Sequence, residues 1–429
     1  MKVLTQGIAA SLASTLFLVG CGGGSSSIER LVEDTIQESQ QKEIRNEIEQ
    51  VMDRFHIPGV SVALVANKRV VFSEGFGFTH LDAGKAVTGD TSFWLGSTSK
   101  AVAGVALMRA QEQGLLSLDD HVQTLLANDS GMNLSLPHTH PVLLRHLVSH
   151  TSTIVDTDNY DCAYFVGEEQ GEHYSLANAF IGGDCNEDTP VDLAGYLNAY
   201  LSESGAYYSA ADNFLLAEPG ASFEYSNIAS ALAGYTLESV TGTSLADYAM
   251  EHIFSPLGMN NTSWKRSDLV LEDIATPHVW DDESAAMVDL PIYDLSTWPD
   301  GGLRSSADDL AKLLLAIMQQ GELPAGEQQA VRVLAQGSVA TLLEPLVEGL
   351  GLEVGVFWMT TETYTGRKVV GHAGSDPGAY SFMFFDPKEQ VGVVLMGNGD
   401  DEFDDTFENA HGQLIETLLD AAEVLAVVD

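Results

Sequence analysis

Cysteine is scarce in this chain, positive charge is scarcer still for its length, and no stretch of about twenty apolar residues occurs. Each shortage excludes something. Three cysteines cannot build a disulfide-dense scaffold, and 429 residues can bury a sizeable core without one. Only 19 Lys and Arg stand against 62 Asp and Glu, a formal net charge of −43, so the surface repels phosphates and nucleic acid is excluded as a partner. The missing apolar run excludes an internal membrane span. No Gly-x-Ser-x-Gly is present, which removes the nucleophile elbow of α/β-hydrolases. What remains is ordinary globular material, 45% hydrophobic and long enough for two or three domains.

Both ends of the N-terminal segment carry targeting signals. Lys2 gives a short positive start, Ile8 to Val19 is mostly apolar, and Leu18-Val19-Gly20-Cys21 resembles a bacterial lipoprotein signal. Residues 1–20 are therefore expected to be removed and Cys21 lipidated, with residues 21–27 a Gly/Ser tether. A plain secretory signal with an incidental cysteine is the rival. The expected location is the periplasmic side of the envelope, with the outer membrane favoured. In that oxidising setting Cys162 and Cys185 are expected to pair.

Periodicity predicts an α+β chain. Residues 28–55 repeat isoleucine and valine at helical spacing (Ile36, Ile44, Ile48, Val51) and read as a helical lead-in. Val60–Val65 and Arg69–Phe76 are β-branched runs joined by Ala66-Asn67-Lys68, a hairpin. Strands return at Leu352–Thr360, Arg367–His372, Ala379–Phe385 and Val391–Met396, before a last helix over Thr406–Leu425. Residues 97–343 are mainly helical in pattern. The expectation for residues 56–429 is an antiparallel sheet flanked by helices, assembled from both ends, with a helical lobe inserted between.

Ser97-Thr98-Ser99-Lys100 places a serine and a lysine on one helix face. Ser39-Gln40-Gln41-Lys42 has the same spacing in a polar run. Only the first opens a helix apolar on nearly every side, Ala101 to Met108, and a buried lysine is costly without a partner. No acid lies one turn away to pair it. A serine at a helix start also offers its backbone N–H to a developing oxyanion. Its hydroxyl needs a base, either neutral Lys100 or a tyrosine. Tyr196-Leu197-Asn198 lies within a helical pattern, whereas Tyr225-Ser226-Asn227 follows a turn and opens a helix, so Tyr225 is preferred.

With His372-Ala373-Gly374 late in a strand, these motifs resemble, in order, those of the serine β-lactamase-related hydrolases. That group includes class C β-lactamases, D-alanyl-D-alanine carboxypeptidases, D-aminopeptidases and β-lactamase-like esterases. Phe223–Asn227, Ser255–Met259, Gly301-Gly302-Leu303 and Phe385-Asp386-Pro387 look like the same family's segments, and the resemblance covers about residues 57–396. It implies catalytic roles for Ser97, Lys100, Tyr225 and Asn227, with the backbone N–H groups of Ser97 and Ser375 as an oxyanion hole. His372 and Gly374 would line the substrate site. The expected chemistry is an acyl-enzyme on Ser97 that cleaves a small ester, amide or peptidoglycan-derived substrate, without a cofactor. A carboxylesterase or D-stereospecific peptidase is favoured over a class C-type β-lactamase or D,D-carboxypeptidase, because histidine replaces the lysine of many β-lactamase strand motifs. A non-catalytic envelope-binding protein is the rival from another class. A second departure is His150-Thr151-Ser152-Thr153 where the family has His-Thr-Ser-Gly, so the turn there is expected to differ.

Other clusters read as structural. His138, His140, His146 and His150 lack a suitably spaced third ligand, with His146 and His150 expected on one helix. The Asp400–Asp405 run lacks the pattern of a calcium loop. Ser306 reads as a helix cap. The segment 154–192 is expected to be a disulfide-stapled acidic flap, too polar to order itself, that excludes anions and offers aromatic contacts to substrate.

Overall fold

A computed structural model of the chain describes residues 25–427 except 82–83, 128–131, 168–173, 182, 187–190, 325–329, 348, 352 and 400–404. The expected signal peptide, Cys21 and most of the tether lie outside the described residues, as do Glu168, Glu169, Glu172, Glu187, Asp188 and most of the 400–405 run.

Six antiparallel strands form the central sheet: β1 (Gly59–Ala66), β2 (Arg69–Gly77), β3 (Met359–Glu362), β4 (Lys368–Asp376), β5 (Ala379–Asp386) and β6 (Val391–Gly397). Their order is β3-β4-β5-β6-β1-β2, so the two ends of the chain meet at the β6–β1 pair, where Val60 faces Gly397. The turn between β1 and β2 is tight because Asn67 and Lys68 both adopt left-handed φ, the geometry that suits a twisted hairpin.

β1 is buried along its whole length because both faces are covered. Val62 and Leu64 pack with Ile44 and Ile48 of helix α1 (Ser25–Arg54), with Phe55 just after it, and with Leu414 and Leu418 of the C-terminal helix, Asp405–Val427. Ala63 and Val65 join the second core, which runs into the helical segment. That segment contributes α2 (Thr98–Glu112), α3 (Leu144–Val148), α4 (Leu193–Leu201), α5 (Asn227–Thr241) and α6 (Ala307–Met318). α6 packs on the central sheet, capped by Ser306, whose hydroxyl accepts from the Asp309 N–H at 3.2 Å. The C-terminal helix is α7.

Short strand pairs such as Phe93–Trp94 with Arg304–Ser305 are woven into the mainly helical middle of the chain. Two expectations need correction. The strand expected from Leu352 is confined to Met359–Glu362. Ahead of it, Val356, Phe357 and Trp358 are buried against α2, with the Trp358 indole donating to the Ala101 carbonyl at 3.1 Å. Their apolar character reflects that packing rather than a sheet position. Finally, 154–192 is not a flap without a core. Ile154, Ala163, Tyr164, Val166 and Leu176 are buried, and Tyr164–Val166 pairs with Tyr174–Ser175 and with Asp294–Leu295. The Cys162–Cys185 disulfide is formed, with Cα atoms 5.4 Å apart.

Candidate active site

α2 begins where β4 passes closest to it. Gly96 has a φ of 52°, and a Cβ there would lie 2.9 Å from the Ser375 nitrogen. A Cβ on Gly374 would lie 2.0 Å from the Leu95 carbonyl oxygen and 2.8 Å from the Ser97 nitrogen. Only glycine permits this approach, which brings the turn that carries Ser97 against the strand that carries Ser375. Ser97 makes no side-chain cap to its helix. Its Oγ instead accepts from Lys100 Nζ at 2.9 Å.

Lys100 is fully buried and fully engaged. Its ammonium also donates to Asn227 Oδ1 at 2.6 Å and to the Asp300 carbonyl at 2.8 Å, and it lies 5.1 Å from the centre of the Tyr225 ring. Burial works to lower its pKa, but the charges of Tyr225, Asp300 and Asp376 outweigh it, so the lysine is held above its usual value as an ammonium. The acidic company that the local sequence lacked is thus supplied from two hundred residues away and more.

Tyr225 and Asn227 stand at the start of α5, and two residues from distant segments fix them. Asp156 accepts from the Asn227 N–H at 2.6 Å, the Ile228 N–H at 3.1 Å and the Ser226 hydroxyl at 2.8 Å, satisfying the free donors of the helix terminus. Burial raises the Asp156 pKa against these bonds. His150 stacks on Tyr225 with ring centres 4.3 Å apart and accepts from the Ser226 N–H at 3.2 Å. Burial, with the nearby Lys100 charge, holds it well below the usual histidine range. His150 lies beyond the end of α3, so it does not share a helix with His146 as expected. Thr153, where the family has glycine, nevertheless adopts a φ of 76°, and its hydroxyl bonds His138 Nε2 at 2.5 Å. Among the described residues no group of three or more His, Cys, Asp or Glu could hold a metal.

A cavity of about 580 Å³ opens on Ser97, Tyr225, His372, Gly374 and Ser375 and continues over Met359, Val369, Phe382, Phe384 and Ile415. Its described lining carries no lysine or arginine. His372 Nδ1 bonds the Ala373 carbonyl at 2.5 Å, and since a carbonyl only accepts, Nδ1 carries the hydrogen and Nε2 a lone pair. Burial and the Lys100 charge lower its pKa to about 4, so it is neutral at pH 7.

The family model described as Beta-lactamase matches residues 44–416. The chain belongs to the Beta-lactamase family. This is a family of serine hydrolases, and the fold agrees: the octameric penicillin-binding protein homologue from Pyrococcus abyssi superposes with a TM-score of 0.67 at 26% identity, over 83% of this chain and 73% of that one. D-amino acid amidase from Ochrobactrum anthropi SV3 shares the fold at a TM-score of 0.63 and 19% identity, over 88% and 98%. Protein flp of Staphylococcus aureus (strain MW2) is 23% identical over 85% of this chain, which spans only 64% of that relative's length.

The structure therefore gathers Ser97, Lys100, Tyr225, Asn227, His372, Gly374 and Ser375 at one end of the sheet. Tyr196, the other Tyr-x-Asn tyrosine, is buried in α4 with its hydroxyl on the Asn159 carbonyl at 2.5 Å. Sequence reasoning missed Asp156, Asp300 and Asp376. It took Asp156 for one more surface charge of an acidic loop; its single available signal was that it sits just beyond the His150–Thr153 segment.

Proposed function

We propose that this Beta-lactamase family chain is a serine hydrolase that cleaves small neutral esters or amides through an acyl-enzyme on Ser97. The observation that carries this reading is the Lys100–Ser97 contact at a helix start packed against the end of the strand that bears Ser375. A lysine held as an ammonium cannot take the serine proton, so that role falls to the Tyr225 oxygen, with Lys100 donating to Ser97 Oγ and Asn227 fixing Lys100. The Ser97 and Ser375 N–H groups would hold the oxyanion. The lone pair of neutral His372 suits a donor on the substrate and repels a carboxylate, which favours a carboxylesterase or a D-stereospecific peptidase. The amidase resemblance supports amides within that range.

A class C-type β-lactamase or D,D-carboxypeptidase is the second reading, favoured by the penicillin-binding protein homologue among its structural neighbours. Parallel assays of p-nitrophenyl acetate, D-amino-acid amides and nitrocefin separate them: kcat/KM for nitrocefin above that for the ester and the amides rejects the first reading. A non-catalytic envelope-binding protein would fail to label with a fluorophosphonate probe. The Leu18–Cys21 segment supports a lipid anchor at Cys21 on the periplasmic side of the envelope, although no described helix is long and apolar enough to cross a membrane. Incorporation of labelled palmitate, lost in Cys21→Ser, tests the anchor.

A further inference from the structure

Behind Lys100, on the side away from the cavity, lie two buried carboxyl groups that the acyl-enzyme chemistry leaves unused. Asp300 is completely buried and Asp376 nearly so. Tyr160 donates to Asp300 Oδ1 at 3.1 Å. Asp376 takes one donor on each oxygen, the Tyr164 hydroxyl on Oδ1 and the Trp94 indole on Oδ2 at 2.6 Å. Both tyrosines come from the 154–192 insert, and Cys162 of its disulfide lies between them. Their rings, expected to meet substrate, point instead into the protein.

The two acids touch the site from different directions. Asp300 offers its own carbonyl to Lys100 Nζ. Asp376 follows Ser375 at the end of β4, and its Oδ2 fills the space beside two glycines: a Cβ on Gly96 would lie 3.1 Å from it, and one on Gly301 3.2 Å. Gly96 precedes Ser97 and Gly301 follows Asp300, so one carboxylate wedges between the turns that carry the nucleophile and the lysine's carbonyl partner. We propose that Asp300 and Asp376 are positioning residues for Lys100 and the Ser375 strand end, and that the insert acts on the active site by holding their carboxyl groups through Tyr160 and Tyr164.

The surroundings set the two acids apart. Asp376 faces Lys100 from α2, Tyr164 from the insert and Asp300 from its loop. Arg304 lies over the far face of Trp94, 4.3 Å from the ring centre, but is itself bonded to Asp294 at 2.9 Å. Tyr293 packs on Trp94 at 4.5 Å. Burial raises both carboxyls. Asp300, which faces Asp156 and Asp376 as well as Lys100, is pushed well above the usual carboxylate range. Asp376, whose two donors favour the carboxylate, rises only to about 6. At pH 7 it carries the negative charge that helps hold Lys100 as an ammonium; below 6 it loses that charge.

This inference rests on the serine-hydrolase reading, and the experiment keeps the two apart. kcat and KM for p-nitrophenyl acetate are measured across pH for the full chain, Tyr164→Phe, Tyr160→Phe and Asp376→Asn. In the full chain kcat falls on the acid side with a midpoint near 6. Tyr164→Phe removes a bond that favours the carboxylate, so the midpoint moves up by about one pH unit. Tyr160→Phe removes a bond to Asp300 and none to Asp376, so it lowers kcat without moving the midpoint. Asp376→Asn abolishes the acid limb and lowers kcat by about tenfold or more, with KM unchanged because none of these residues lines the cavity. A purely structural role predicts lower melting temperatures with superimposable pH profiles, and that result overturns the proposal. Fluorine NMR of fluorotryptophan-labelled protein follows Trp94 directly, assigned by Trp94→Phe. A Trp94 signal that titrates near 6 and shifts in Tyr164→Phe, in a protein that a fluorophosphonate does not label, sinks the hydrolase reading and leaves the network standing. A labelled protein whose Trp94 signal and acid limb both ignore Tyr164→Phe sinks the network alone.

Discussion

Ser39 and Lys42 stand three residues apart within α1, as Ser97 and Lys100 do at the start of α2. The first pair is exposed beside an isoleucine stripe that packs on the sheet; the second has its lysine completely buried among three acceptors. Identical spacing gives identical local geometry, so the spacing is not where the chemistry lies. What separates the pairs is what the rest of the chain brings to them. α1 receives the packing of α7 and the strands and an ion pair from Arg45 to Glu74, whereas α2 receives Asn227, Asp300 and the β4 backbone, from elements more than a hundred residues away. The two Tyr-x-Asn tyrosines teach the same thing. Tyr196 spends its hydroxyl on a backbone carbonyl, and Tyr225 faces a cavity.

Substitution of these paired residues is the sharpest way to break the contrast. Ser97→Ala is expected to leave less than about 1% of ester turnover and no fluorophosphonate labelling, while Ser39→Ala and Lys42→Ala match wild type. Lys100→Ala should lower kcat/KM by about 10²- to 10⁴-fold. Equal damage from Lys42→Ala would show that burial is not the discriminating feature. Next in size, Tyr225→Phe should lower kcat by about 100-fold with little change in melting temperature. Tyr196→Phe should do the reverse, costing about 1 kcal/mol of stability from one lost buried bond and leaving kcat within a factor of two or so.

Asp156→Ala sharpens the comparison from the support side. It strips three donors at the α5 start of their acceptor, so a loss of about 2–3 kcal/mol in denaturant unfolding is expected, together with a fall in kcat as Tyr225 and Asn227 loosen. Asp156→Asn should recover part of both. The smallest effect is expected from Cys162→Ser with Cys185→Ser. Because the insert's tyrosines point inward, this double variant should lower kcat by a few-fold and leave KM and ester-over-amide preference unchanged, as steady-state kinetics on both substrates would show.

Much of this was legible in order along the chain. The hairpin, the C-terminal strands and the terminal helix appear in the sequence because each has a regular apolar period that matches its packed face. Val354–Trp358 misled for a physical reason: a fully buried apolar run looks the same whether it extends a sheet or crosses a helix. The motif residues were legible because spacing on one element is fixed by geometry. Asp156, Asp300 and Asp376 were not, since a carboxylate looks alike on a solvated loop and under a tyrosine. In a chain with 62 acids, nothing local marks the few that are buried. Thr153 shows the converse, a residue that departs from the family pattern while the backbone keeps the left-handed turn that glycine would favour.

The β6–β1 pairing dictates the order in which this molecule can come into being. The β1–β2 hairpin emerges early from the ribosome, but the neighbour of β1 is more than three hundred residues further on, so one edge of the hairpin stays open until β6 has been made. The helices between have local contacts and can collapse first, while the sheet, with its high contact order, closes last. An unfinished chain therefore holds Ser97 and Lys100 and lacks the strand that bears Ser375. Arrival of Ser375 beside Ser97 and closure of the sheet are one event, which postpones the proposed reactivity until β4 to β6 are in place.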